Sequence, residues 1–200
     1  MSVYIFDFDG TLVDASERLY RLFQCLVPES KLTKEDYWRL KRDKVNHRMV
    51  LERYFSDRTF EEFNQNWLSL IEQPKYLAMD CLYADSLETL EKLSAENDLY
   101  LLTARQNKEN LFEELNSLGI RHYFKQVLVT ENKCSKEDLL KRIPFTYKDY
   151  FVSDMGKDIT LGNKVGLRTV AITHGFMSGI RLKEYKPWRI IDDFYILTDL

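Results

Sequence analysis

Five short runs rich in β-branched, aliphatic and aromatic residues recur along the chain, at 3–6, 99–102, 126–129, 150–152 and 169–172, and each ends in a polar loop. Segments with helical spacing, 86–95, 108–118, 135–143 and 158–165, separate them, several opening on an Asp or Ser suited to capping a first turn. Strand and helix in alternation predict an α/β fold, a doubly wound parallel sheet covered by helices on both faces. Sheets of that kind bind ligands beyond the carboxyl ends of their strands, near the point where the strand order reverses.

Residues 15–83 break the alternation. They are rich in aromatics and charges, carry helical spacings such as Leu19, Leu22, Phe23 and Phe60, Phe63, Trp67, Leu70, and offer no convincing strand. The reading is a helical bundle inserted after the first strand, with linkers near 14–16 and 79–85. The catalytic core is then expected at 1–14 and 84–200, and the helical segment at 15–83. Tyr37, Trp38, Tyr54, Phe55 and Trp67 are expected to form the inserted bundle's own core.

Composition narrows the function by exclusion. With a formal net charge of −3, the chain has no general attraction for nucleic acid or an anionic membrane, so an anionic ligand must meet a local cluster of positive charge. No apolar run approaches the roughly 20 residues needed to span a bilayer, and the N-terminus lacks the pattern of a signal peptide, which predicts a cytoplasmic protein. Its three cysteines, Cys25, Cys81 and Cys134, are odd in number and far apart, so reduced thiols are expected, with Cys25 and Cys81 buried.

The first strand candidate runs directly into Asp7-Phe8-Asp9-Gly10-Thr11. Two carboxylates at the end of a buried strand are costly unless a cation or a reaction needs them. The Gly-Thr that follows allows a sharp turn and adds a hydroxyl, as in a loop that holds a divalent cation. The segment Asp7 to Asp14 resembles the first motif of the haloacid dehalogenase superfamily, in its phosphoglycolate phosphatase-like branch with a helical cap after that motif.

The resemblance implies a Rossmann-like core and a Mg²⁺-dependent phosphatase acting on a small phosphorylated metabolite through an aspartyl-phosphate. Asp7 is then the nucleophile, its repulsion by the phosphate reduced by Mg²⁺. Asp9 is the acid and base, protonating the leaving oxygen and later taking a proton from water, with its backbone carbonyl on the metal. Asp154, in Ser153-Asp154-Met155-Gly156-Lys157-Asp158, completes the metal ligands Asp7 and Asp9. Asp158 either assists through water or caps the next helix. Thr103, at the end of a strand run, corresponds to the hydroxyl that binds a phosphoryl oxygen. Arg105, two residues on, is expected to be solvated.

The lysine that holds nucleophile and phosphate together has two candidates. Lys133 fits one family spacing, although the family's prolines are absent; Lys136 sits on the first turn after Ser135, where Asp138 completes a capping-box-like start that favours it. In the inserted segment Lys41, Lys44 and Arg48 recur at helical spacing, as a substrate-reading face or as solvated surface. His122 and His174 show no partner pattern. Two alternatives stay open: a phosphomutase using the same carboxylates, and a catalytically silent binding or regulatory module.

Overall fold

The computed structural model describes residues 1–55 and 59–200. β1 (Val3–Phe6) runs into the short β2 (Val13–Asp14), after which come the helices α1 (Ser16–Leu26), α2 (Lys34–Arg42), α3 (His47–Tyr54), α4 (Phe60–Leu70) and α5 (Pro74–Leu77). The chain returns through β3 (Cys81–Leu82) and then alternates: α6 (Ser86–Ser94), β4 (Asp98–Thr103), α7 (Lys108–Ser117), β5 (Gln126–Val129), α8 (Lys136–Leu140), β6 (Tyr150–Ser153), α9 (Gly156–Lys164), β7 (Arg168–Ile172), α10 (Gly179–Lys183) and β8 (Arg189–Ile191).

Six strands form one sheet in the order β5-β4-β1-β6-β7-β8, every neighbouring pair parallel. The expected α/β fold is present. Alternation along each strand explains its two-sided cover: Tyr4, Phe6, Leu99, Leu101 and Val152 enter one apolar cluster, while Ile5, Tyr100, Leu102 and Phe151 enter another. From β1 the chain moves outward through β4 and β5 and then crosses back to β6. The strand order thus reverses around β1, and the carboxyl ends of β1, β4 and β6 flank a crevice.

The five helices between β2 and β3 have an apolar centre of their own, built on Leu22, Phe23, Tyr37, Val50, Phe63 and Trp67. His47 belongs to it, with Nε2 2.8 Å from the Tyr37 hydroxyl and its ring 4.2 Å from that of Trp67. Burial keeps this imidazole neutral, well below its ordinary range, with Lys41 adding to the effect. Side-chain caps set several helix starts: Thr33 accepts from Asp36 N, and Asn46 from Met49 N.

Several expectations need correction. The segment 15–83 does hold a strand, because β3 pairs antiparallel with β2, Val13 opposite Leu82 and Asp14 opposite Cys81. Strands of two residues carry no periodicity to detect. Cys25 and Cys81 are exposed rather than buried. Tyr54 lies outside the bundle core at 46% exposure, and Trp38 instead packs edge-on against Phe176 of the loop after β7. No helix among the described residues is long and apolar enough to cross a membrane.

Candidate active site

β1 ends at Phe6, and Asp7 keeps its N–H on the ladder, donating to Val152 O at 3.0 Å. The chain then turns tightly, with the N–H groups of Thr11 and Leu12 both donating to Phe8 O. Gly10 has φ +78°, and a Cβ there would lie 2.3 Å from Asp154 Oδ2, so glycine alone allows the turn to pack against that carboxylate.

Asp7 is buried and meets Lys136 from the first turn of α8, whose Nζ lies 2.7 Å from Asp7 Oδ1 and 2.6 Å from Asp158 Oδ2. A capping box holds that turn in place: Ser135 Oγ accepts from Asp138 N at 3.1 Å, and Asp138 Oδ2 accepts from Ser135 N at 3.3 Å. Burial pushes the Asp7 carboxyl well above its ordinary value, opposed by the Lys136 ammonium and reinforced by Asp158 and Asp154. Burial works against the Lys136 charge too, but Asp158 and Asp7 outweigh it and hold the ammonium above its usual range. Asp158 therefore serves Lys136 and accepts from Ser153 Oγ at 2.9 Å; the residue at the N-cap of α9 is Met155.

Asp154, at the end of β6, is fully buried and accepts from Thr11 Oγ1 at 3.0 Å and from Phe176 N at 2.6 Å. Burial raises its carboxyl to about 7, against those hydrogen bonds and with help from Asp158. The loop after β7 closes this side. A Cβ on Gly175 would stand 2.2 Å from both Asp154 Oδ2 and Gly10 O. Arg42, from α2, donates to the carbonyls of Thr173 and Gly175, each at 2.8 Å. His174, around which the sequence shows no pattern of a catalytic pair, places Nε2 2.9 Å from Thr11 O and stacks on Tyr83. Sequence reasoning passed over Gly175 and Phe176; the glycine in the loop that follows β7 was the available signal.

Among the described residues no three His, Cys, Asp or Glu side chains converge as a ready-made metal cage. The donors that do meet are nonetheless suited to a hard divalent cation. Asp7 and Asp154 are close enough for the Asp154 charge to raise the pKa of Asp7, supply only oxygen, and are buried, so a cation between them would relieve their mutual repulsion. The close approach of Asp154 that Gly10 and Gly175 permit is the observation that favours such a site.

Asp9 is arranged differently. Its carboxylate is gripped by Arg18 of α1 and by Arg105 beyond β4. Arg18 also pairs with Asp80 at 3.0 Å, and Arg105 with Asp80 at 3.4 Å and Glu114 at 3.1 Å. Arg105, expected to be solvated, is 4% exposed. Burial favours protonation of Asp9, but the two guanidinium groups overcome it and hold the carboxyl well below the usual range. Burial raises Asp80 to about 6 and Glu114 to about 8 against the same arginines.

A cleft of about 750 Å³ lies between sheet and inserted helices, lined by Asp7, Asp9, Thr103, Arg105, Lys136 and Asp158 among others. Thr103 is buried at the carboxyl end of β4. Lys133 does not join them: its side chain is 76% exposed and pairs with Glu131 at 3.1 Å. Of the three cations of the inserted segment, Arg48 points to Glu61 and Lys44 to Glu184, while Lys41 and Lys44 line a second cavity.

A search of curated proteins by sequence gave no match. Solved structures share the fold along nearly the whole chain. A haloacid dehalogenase-like family hydrolase from Streptococcus pneumoniae is 22% identical with a TM-score of 0.80, the match covering 100% of this chain and 97% of that one. A protein from Haemophilus somnus described as a predicted phosphoglycolate phosphatase is 22% identical with a TM-score of 0.77, covering 100% and 97%. A Bacillus subtilis protein, described as a HAD hydrolase bound to magnesium and showing interdomain movement, is 19% identical with a TM-score of 0.69, covering 99% and 97%. The model of the haloacid dehalogenase-like hydrolases matches residues 4–172, most of the sequence, and the chain belongs to that family.

Proposed function

We propose that the protein is a Mg²⁺-dependent phosphatase that hydrolyses a small phosphorylated metabolite through an aspartyl-phosphate on Asp7. The observation that carries this reading is the Lys136 ammonium bridging Asp7 and Asp158 in the lining of a cleft that Thr103 also lines. A buried carboxylate beside a fixed cation can receive a phosphoryl group whose negative charge the same cation shares. Asp7, Asp154 and the backbone carbonyl of Asp9 would hold the metal. When bound, it lowers the repulsion between carboxylate and phosphate and polarises the phosphoryl oxygens. The magnesium reported for the Bacillus subtilis relative supports the choice of ion.

An oxygen of Asp7 attacks phosphorus as the bond to the leaving oxygen breaks, while Lys136 and the Thr103 hydroxyl hold the phosphoryl oxygens. The leaving oxygen takes a proton from Asp9, which later accepts one from the water that splits the acyl phosphate and releases inorganic phosphate. In the arrangement described above Asp9 is a carboxylate held by two arginines. Proton donation therefore requires it to leave them, and the inserted helices, which carry Arg18, are placed to couple that release to their own closure over the cleft. We assign residues 15–83 the role of a cap that selects the substrate.

The test is hydrolysis of p-nitrophenyl phosphate with Mg²⁺, with EDTA, and with Mg²⁺ restored, alongside mass spectrometry of the rapidly quenched protein. A phosphoryl adduct on Asp7 and metal-dependent release of inorganic phosphate are expected. Persistent inactivity across phosphorylated sugars, nucleotides and organic acids would return the protein to the class of binding modules, and isomerised substrate without inorganic phosphate would make it a mutase.

A further inference from the structure

A second cavity, of about 630 Å³, lies beside the catalytic cleft and shares Leu19, Met155, Lys157 and Phe176 with it, so one ligand can occupy both. Their charges differ. The cleft is lined by Asp7, Asp9, Glu72, Glu137 and Asp158 as well as by cations, whereas the second cavity has Lys41, Lys44 and Lys157 and, among the described residues, no Asp or Glu. Trp67, Phe176 and Met177 supply apolar walls.

The three lysines are not equivalent. Lys44 is already engaged, 2.5 Å from Glu184 and over the Tyr185 ring. Lys157, on the first turn of α9, is exposed on the core side of the cavity. Lys41, on α2, is half-buried on the opposite side, and no described residue pairs with its ammonium. Burial without a counter-charge lowers its pKa to about 8. A half-buried cation without a partner, aimed into a cavity that lacks acids, is poised for an anion that arrives with the ligand.

We propose that this cavity binds a second anionic group of the substrate, a carboxylate or a second phosphate, through Lys41 and Lys157. The proposal rests on the phosphatase reading and narrows it to doubly anionic phosphoesters. One anion is placed between Asp7 and Lys136 and the other between inserted helix and core. Because Lys41 and Lys157 come from opposite sides of the cavity, a substrate with both anions draws those sides together, which a singly charged phosphoester does not do.

Two matched pairs test it: 3-phosphoglycerate against glycerol 3-phosphate for a carboxylate, and fructose 1,6-bisphosphate against fructose 6-phosphate for a second phosphate. The wild-type kcat/KM should favour the doubly anionic member of at least one pair by about tenfold or more, the scale of one charged hydrogen bond, and the pair that shows it identifies the anion. Lys41→Met should bring that ratio close to one, chiefly through KM, and Lys41→Arg should largely preserve it. Arg48→Met, which removes a nearby charge paired with Glu61, should leave the ratio as it is. Absence of preference in both pairs, a ratio untouched by Lys41→Met, or equal loss in Arg48→Met would each overturn the proposal. Turnover of p-nitrophenyl phosphate reports on the phosphatase reading separately. Should the wild type hydrolyse none of these esters, calorimetric titration of the same four compounds decides the subsite on binding alone.

Discussion

Arg105 holds Asp9 in a two-pronged grip, Nε donating to Oδ2 at 2.7 Å and Nη2 to Oδ1 at 2.8 Å, across the gap between the ends of β4 and β1. The same guanidinium faces Asp80 and Glu114, while its Nη1 is buried without a hydrogen-bond partner among the described residues. It compensates several buried acids at once. Arg105→Met should therefore destabilise the fold by about 3 kcal/mol, the scale of breaking a buried ion pair, as read by urea denaturation. Arg105→Lys should recover only part of that, because a point charge cannot make the fork. A loss under about 1 kcal/mol in the methionine variant would show that the acids become protonated at little cost.

Asp7→Asn should leave the circular dichroism spectrum and the thermal midpoint near wild type and reduce turnover by roughly three orders of magnitude or more. The amide keeps the shape and a hydrogen-bond acceptor but is a poor nucleophile. More than a few per cent of residual activity, with deamidation excluded by mass, would remove Asp7 from the role of nucleophile.

Asp9→Asn should slow hydrolysis of an alkyl phosphate by roughly a hundredfold or more and that of p-nitrophenyl phosphate by less, since a phenolate leaves without a donated proton. Single-turnover release of p-nitrophenol isolates the first step from hydrolysis of the intermediate. Equal slowing of that step for both leaving groups would argue that Asp9 acts through the position of Arg18 and Arg105 instead.

The two lysines considered for the phosphate contact now give opposite expectations. Lys136→Met removes the ammonium between Asp7 and Asp158 and should cost roughly a hundredfold to a thousandfold in kcat/KM, while Lys133→Met removes a surface pair with Glu131 and should change it less than about twofold. Steady-state kinetics on one substrate is sufficient, and a large loss in Lys133→Met would reverse the assignment.

Gly175→Ala places a methyl group where Asp154 Oδ2 and the Gly10 carbonyl stand. Displacing Asp154 should raise the Mg²⁺ concentration for half-maximal activity by about tenfold, the usual effect of disturbing the support of a metal ligand. A Mg²⁺ titration of activity at saturating substrate measures this. An unchanged midpoint would mean that Asp154 is not a ligand.

What the sequence disclosed followed from how many residues carried each signal. Each of the five long core strands is apolar on both faces, and that alone placed β1, β4, β5, β6 and β7 close to their observed limits. The edge strand Arg189–Ile191 is short and begins on an exposed arginine, so it left no such trace. Lys136 was favoured because Ser135 and Asp138 form a local device within four consecutive residues. Arg105 was misjudged for the opposite reason: its acids come from the turn after β1, the segment before β3, and α7, contacts that only the folded chain brings together. Cys25 and Cys81 were misplaced because a thiol's average preference for burial says nothing about which face of its own element it occupies.

The ladder that pairs Val13 with Leu82 and Asp14 with Cys81 lets the chain leave the sheet and come back to it through neighbouring residues. For the polymer, everything between is a side loop already closed at its neck, and its length enters the stability of the remainder only through a slowly growing logarithm. Helices there can be lengthened, deleted or exchanged across generations without shifting the register of a single strand in the main sheet. If that segment is the substrate-selecting cap proposed above, selection for a new metabolite can rewrite one part of the gene while the proposed catalytic residues of the core stay fixed.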